Sequence, residues 1–302
     1  MKPLLIIGGA TGTGKSNIAV ACAKKLNGEV ISADSMQIYR GLDIGTAKIR
    51  ADETEGIAHY MIDVADPKDG FTAAEYKERV RELIRNISER GKTPILCGGT
   101  GLYINAVLYD LSFSGEFDPD LRQELLAECA QYGKAYMHDK LAALDPDAAE
   151  RLHVNDEKRV IRAIEKALTG GKKENDFSQA KYPYCMFITD LPRDRMYERI
   201  ELRVDKMMQA GLKEEVTGLI KQGIGFDKQC MQAIAYKEWA PYFEGEASEE
   251  DVVALIKKNT RNYAKRQVTW FKQYKDAEKI DVTLPMDEIV EIIAAKYQEV
   301  TE

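Results

Sequence analysis

The sequence predicts an α/β protein: a P-loop NTPase-like parallel sheet flanked by helices, with an inserted all-helical subdomain. Three observations predict it. Short continuous apolar runs alternate with amphipathic helical stretches. A glycine-rich phosphate-binding pattern joins the first run to the first helix. From Pro119 to Leu168 only helical periodicity is found, after which strand character resumes.

Each element has its own reason. Leu4-Leu5-Ile6-Ile7 is apolar throughout and ends in glycines, as a strand buried on both faces would. Ile18, Ala19, Ala21, Cys22 and Leu26 follow at helical spacing. Val30-Ile31-Ser32-Ala33 reads as a second buried strand. Thr72 to Arg90 reads as an amphipathic helix, with Thr72 as N-cap and Gly91 past its end. Pro94-Ile95-Leu96-Cys97 is a third strand, closed by Gly98-Gly99. Breaks at Gly133 and Pro146 divide the helical stretch, and Gly170 to Asp176 reads as a polar loop. Met186 to Thr189 and Ile280 to Thr283 are further strands. The expected division is a core of residues 1–114 and 181–302 and a helical insertion of 115–180.

Composition narrows the function. The 302 residues carry a net charge of -7, which excludes a uniformly basic nucleic-acid coat but not local basic faces. Five scattered cysteines lack zinc-site spacing and fit a reducing compartment. The N-terminal apolar run is too short to span a bilayer and lacks a signal-peptide cleavage pattern. A cytoplasmic protein with no membrane association is expected.

Gly9-Ala10-Thr11-Gly12-Thr13-Gly14-Lys15-Ser16 matches GxxxxGK[ST] between a strand and a helix. Its backbone N–H groups can cradle a diphosphate or triphosphate, Lys15 adds a full charge, and the Ser16 hydroxyl can bind Mg²⁺. Asp34 follows the second strand, at the sheet edge where ligands of such folds bind. General base, metal relay and helix cap all remain open for it. Gly98-Gly99-Thr100-Gly101 lies at the same edge. Arg195, Arg199 and Arg203 recur every four residues, facing either phosphate or solvent, since Glu198 and Glu201 can neutralise them. Lys158, Arg162 and Lys166 repeat that spacing. Residues 257–275 contain no Asp or Glu, and Lys258, Arg261 and Lys265 share one face there. On an acidic chain, such faces suggest a polyanion such as RNA.

Together these motifs resemble the tRNA dimethylallyltransferases, also called tRNA isopentenyltransferases. The resemblance spans nearly the whole chain. It rests on the P-loop, the run Asp34 to Lys48 (DSMQIYRGLDIGTAK), His59 to Asp63, GGTGLY from Gly98, Asn155 to Ala163, Arg199 to Asp205, and Arg261 to Phe271. It implies transfer of a dimethylallyl group from dimethylallyl diphosphate to N6 of the adenosine 3′-adjacent to the anticodon, in tRNAs reading codons that begin with U. By resemblance Asp34 is the general base, assisted by Thr11, Lys15 and Arg203. Residues 9–16 hold the diphosphate, with Thr11 and Thr13 as added hydroxyl donors. Asp34, Ser35, Met36, Gln37, Thr100, Arg122, Lys158, Arg159, Val160, Ile161, Arg162, Arg261, Lys265 and Arg266 fall on tRNA-contacting positions, the partner being the anticodon stem-loop. Mg²⁺ is the implied cofactor, and a monomer is expected. Ala235 stands where the family usually has Gly, and the absence of a C-terminal zinc finger fits the shorter bacterial form. An adenylate isopentenyltransferase, a P-loop kinase and a non-catalytic RNA-binding protein are the alternatives. The basic insertion speaks against the first, and joint retention of Lys15, Ser16 and Asp34 against the last.

Overall fold

The computed structural model describes residues 2–113, 118–170, 177 and 179–301. The expected boundary at 114/115 falls outside the described residues, as does the expected loop Gly170 to Asp176 beyond Gly170, which has a φ of 68°. The chain divides into two compact units, Met1–Asp110 with Ala180–Glu302, and Leu111–Gln179.

In the first unit the chain runs β1 (Leu4–Gly9), α1 (Lys15–Lys25), β2 (Gly28–Ser32), β3 (His59–Tyr60), α2 (Ala73–Glu89), β4 (Thr93–Gly98) and α3 (Gly101–Leu108). Strands pair in the order β3-β2-β4-β1, and the sheet continues into β5 (Tyr184–Asp190) and β6 (Glu278–Asp281), every ladder parallel. The runs Leu4–Ile7, Val30–Ile31 and Pro94–Cys97 are apolar because both faces of the sheet are covered. Leu4, Ile6, Ile31 and Leu96 join the core on one side, and Leu5, Ile7, Val30 and Ile95 the core on the other. The second core is closed by Ile18 and Cys22 of α1 and by Ile289 and Ile293 of α11 (Met286–Thr301). The first is closed by α2, α3, α7 (Arg193–Gln209), α8 (Leu212–Lys221) and α10 (Glu249–Phe271).

Local chemistry sets the ends. Thr72 and Glu75 form a reciprocal capping box at the start of α2, and Gly91 takes a φ of 72° after it. Glu29 is buried on β2, where its carboxylate accepts from Arg90, Lys92 and the Tyr60 hydroxyl. The sequence reading missed β3. Two residues are too few for a period, and β3 exists because Val30 and Ile31 offer an edge to pair with.

The second unit contains α4 (Pro119–Leu144), α5 (Pro146–Arg151) and α6 (Glu157–Leu168). Gly133 interrupts α4 with φ 86° and ψ 173°. Asp145 caps α5 ahead of Pro146. Leu125, Met137, Leu141, Val160, Ile161 and Ile164 form its core.

Candidate active site

The phosphate loop is bound to the sheet by contacts that only its own residues permit. Gly9 has φ 143°, and a Cβ there would come within 2.0 Å of Thr189 Oγ1 on β5. Gly14 adopts φ 85° as N-cap of α1, turning the chain so that the first helical N–H groups face the loop. The Thr13 hydroxyl donates to Ala10 O at 2.9 Å and lies 2.7 Å from Thr189 Oγ1. Thr13 was expected to offer its hydroxyl to phosphate. Instead it is 2% exposed and its single proton is used inside the loop. Lys15 Nζ donates to Ala10 O at 2.5 Å. Burial pushes its ammonium down to about 8, and neighbouring Arg203 acts in the same direction.

Around this loop the long-range contacts converge. Arg203 of α7 donates to Thr11 Oγ1 at 3.0 Å and to Thr46 O at 3.2 Å. Burial lowers the pKa of this guanidinium, while the Asp34 carboxylate raises it. Asp34 follows β2, and its Oδ1 accepts from Met36 N at 2.9 Å and Gln37 N at 3.3 Å. Its second oxygen accepts no hydrogen bond from a described residue. Gln37 donates to Thr46 O and Ala47 O at 3.2 and 3.3 Å, so its amide is already engaged. Thr100 Oγ1 accepts from Ser35 N at 3.1 Å, fastening the GGTG segment to the Asp34 turn.

Two cavities meet here. One is lined by Lys15, Ser16, Val30, Ile49, His59 and Ile62. The other is mostly apolar at Met36, Ile200, Val204, Met207 and Ile256, with Ser35 and Arg266 also on its wall. Thr11, Asp34, Thr46, Arg203 and Tyr263 line both. A phosphate-binding loop, a half-free carboxylate and a guanidinium therefore share one junction.

The other expected residues are placed less uniformly. Ser16 is exposed at the first cavity. Arg195 and Arg199 are exposed and line neither cavity, so only Arg203 of that trio reaches the cleft. Lys265 and Arg266 are exposed on α10, with the Arg266 guanidinium 5.6 Å from the Tyr263 ring centre. Arg261 is ion-paired to Glu201 at 2.5 Å. In the helical unit Arg122 and Arg162 both donate to the buried Glu165, at 3.1 and 2.9 Å, while Lys158 and Arg159 are exposed. Val160 and Ile161 are each 1% exposed. Their side chains cannot touch an external partner, because they are the apolar face that α6 packs inward.

Residue-by-residue reading missed Gln267, Thr46 and Tyr263. Gln267 of α10 accepts from Thr11 N at 2.8 Å and donates to Gly99 O at 3.0 Å, linking the phosphate loop to the residue that follows β4. Its signal was a polar residue on the buried helix face that also holds Ala264 and Phe271.

This fold and this cleft define an α/β protein of the P-loop class, with a carboxylate and a guanidinium beside the loop. The sequence model of the IPP transferase family matches residues 37–274. The chain belongs to that family. A tRNA dimethylallyltransferase of Bacillus cereus (strain G9842) is 47% identical, covering 98% of this chain and 96% of the relative. One of Bacillus anthracis is 46% identical, covering 98% and 97%. The full-length tRNA isopentenylpyrophosphate transferase of Bacillus halodurans superposes with a TM-score of 0.76 at 42% identity, covering 99% and 98% of the two chains. A eukaryotic dimethylallyltransferase acting on tRNA superposes with a TM-score of 0.79 at 28% identity, covering 93% and 74%. Among the described residues no helix is long and apolar enough to cross a membrane.

Proposed function

We propose that this chain transfers a dimethylallyl group from dimethylallyl diphosphate to N6 of the adenosine 3′-adjacent to the anticodon, in tRNAs reading codons that begin with U. The observation that carries this reading is the junction: Asp34, Arg203 and Thr11 line both cavities at once. A donor in one cavity and a base in the other would react across them.

Adenine N6 is a poor nucleophile because its lone pair is delocalised. As the N6–C1 bond forms and the C1–O bond to diphosphate breaks, N6 sheds a proton to the Asp34 carboxylate, whose second oxygen is available to take it. The Asp34 turn is held by its other oxygen, so base and scaffold are one residue. Charge building on the diphosphate is met by Lys15, Arg203, the Thr11 hydroxyl and the amides of residues 9–16 other than Thr11 N, which Gln267 holds. Gln267 braces that loop by holding Thr11 N. The adenosine leaves its stack at a cost of about a few kcal/mol, offset by protein contacts.

The residues fit a magnesium ion held jointly with the donor. No group of three His, Cys, Asp or Glu among the described residues is arranged for a metal, but the exposed Ser16, whose hydroxyl is a hard oxygen ligand, lines the phosphate cavity. Magnesium held there would neutralise charge on the diphosphate oxygens. The helical unit acts as the tRNA-contacting insertion, with Lys158 and Arg159 on its outside and Arg122 and Arg162 paired on Glu165. On the core unit Lys265, Arg266 and the Ser35–Gln37 turn serve the same partner, with Thr100 holding the turn. The enzyme works as a cytoplasmic monomer.

Radiolabelled dimethylallyl diphosphate offered to unmodified tRNA and to AMP in parallel, with Mg²⁺ and without ATP, tests this. Label on tRNA alone is the expected result. Label on AMP alone moves the chain to the adenylate-modifying class, and label on neither, from folded protein, refutes prenyl transfer.

A further inference from the structure

Arg203 is held at the cleft by Thr11 Oγ1 on one side and by the Thr46 carbonyl on the other. The loop that carries Thr46, residues 43–46, is held by a carboxylate that lines neither cavity. Glu215 of α8 accepts from three consecutive backbone N–H groups: Asp43 at 2.9 Å, Ile44 at 2.8 Å and Gly45 at 3.1 Å. Its Oε1 also accepts from the Tyr236 hydroxyl at 2.6 Å. Successive N–H groups turned onto one anion form a nest, and the hydrogen bonds are strengthened by its charge. Gly45 lies flat against Tyr236, where a Cβ would come within 2.5 Å of the ring. The loop is therefore gripped by the carboxylate and by the ring. The next residue, Thr46, turns its carbonyl to Arg203 Nη2 and Gln37 Nε2, both at 3.2 Å, while its hydroxyl donates back to Leu42 O at 2.6 Å.

We propose that Glu215 is a positioning residue for prenyl transfer: it fixes the 43–46 loop so that the Thr46 carbonyl holds Arg203 beside the phosphate loop. This rests on the reading of Arg203 as a group that meets the departing diphosphate. The acceptor must be anionic and have two oxygens. A glutamine in its place would turn an NH2 toward N–H donors that need an acceptor, and the nest would open. Arg203 would then keep its bond to Thr11 and lose its second support.

The test is a double-mutant cycle on the full chain, read as single-turnover transfer to tRNA at saturating donor. Glu215→Gln should slow transfer roughly tenfold, the scale of a small misplacement of a reacting group, and leave tRNA affinity unchanged. Arg203→Lys keeps the charge but cannot span both acceptors. In that background the Glu215 change should cost less than about twofold, since coupled residues are non-additive. Equal losses in both backgrounds overturn the proposal, as does a wild-type rate in Glu215→Gln. Should Glu215→Gln fail to fold, Tyr236→Phe carries the same cycle. It removes one of the four bonds and keeps the ring against Gly45, with a loss of roughly threefold expected. Wild-type protein that labels no tRNA refutes the functional reading itself, and is seen before any variant is made.

Discussion

Asp34→Asn separates chemistry from scaffold at one position. The carboxylate uses Oδ1 to accept from Met36 N and Gln37 N, at 2.9 and 3.3 Å. An asparagine oxygen can keep both bonds, so the turn should survive with a stability change under about 1 kcal/mol. What is lost is the charge and the proton acceptor at the second oxygen. Removing a general base lowers rates by roughly 10²- to 10⁴-fold, and that range is the expected fall in single-turnover transfer of labelled dimethylallyl group to tRNA. Affinity for tRNA, measured beside it, should hardly move. Asp34→Ala is the companion. It removes both backbone bonds as well, so its melting temperature should drop by a further amount equivalent to about 1–2 kcal/mol, at a similar rate loss. A fall of less than tenfold in Asp34→Asn would refute the base assignment, and so would lost tRNA affinity with unchanged turnover.

The pH dependence of donor binding follows from Lys15. Its ammonium is held down to about 8 by burial, and an anionic donor favours the charged form, so affinity for dimethylallyl diphosphate should weaken as pH rises past about 8. Calorimetry in buffers of different ionisation enthalpy should show proton uptake on binding there, and pH-independent binding from 7 to 9.5 would contradict it. Lys265→Ala should weaken tRNA binding and reduce the salt slope by about 1; an unchanged slope removes that lysine from the interface. Ala235 has φ 79° and is buried, a conformation that costs an L-residue about 1–2 kcal/mol. Ala235→Gly should therefore raise the melting temperature by about 2 °C in a scanning experiment, and a lowered value would show that the methyl packing outweighs the backbone strain.

The parts of the fold written in local pattern were legible. β1 could be read because every residue from Leu4 to Ile7 is apolar, which a strand covered on both sides demands. Thr72 with Glu75 is a cap written within four residues. The phosphate loop was equally local. The cleft was less so, since Thr46, Arg203 and Gln267 meet across more than 150 residues of chain. Spacing showed that Arg195, Arg199 and Arg203 share a helix face, but which turn of α7 reaches the sheet edge depends on packing against β5 and α10. Val160 and Ile161 show the opposite error. The family resemblance covers the whole segment, although helix periodicity sends its apolar members inward and its charged ones out. The Ala235 departure was visible as a missing glycine, and its meaning emerged only with the positive φ.

Helix α10 works on two sides. Gln267 holds the phosphate loop and the end of β4 from its buried side, while Lys265 and Arg266 stand in solvent next to it. One added residue within the helix would swing everything beyond it by about 100°, turning Gln267 away from the loop and the two cations off their face. The spacing along α10 is therefore under as much constraint as the identity of its side chains. Point changes on its outer face leave that spacing intact, whereas insertions and deletions between Ser248 and Gln267 would displace the Gln267 bonds and the two cations together.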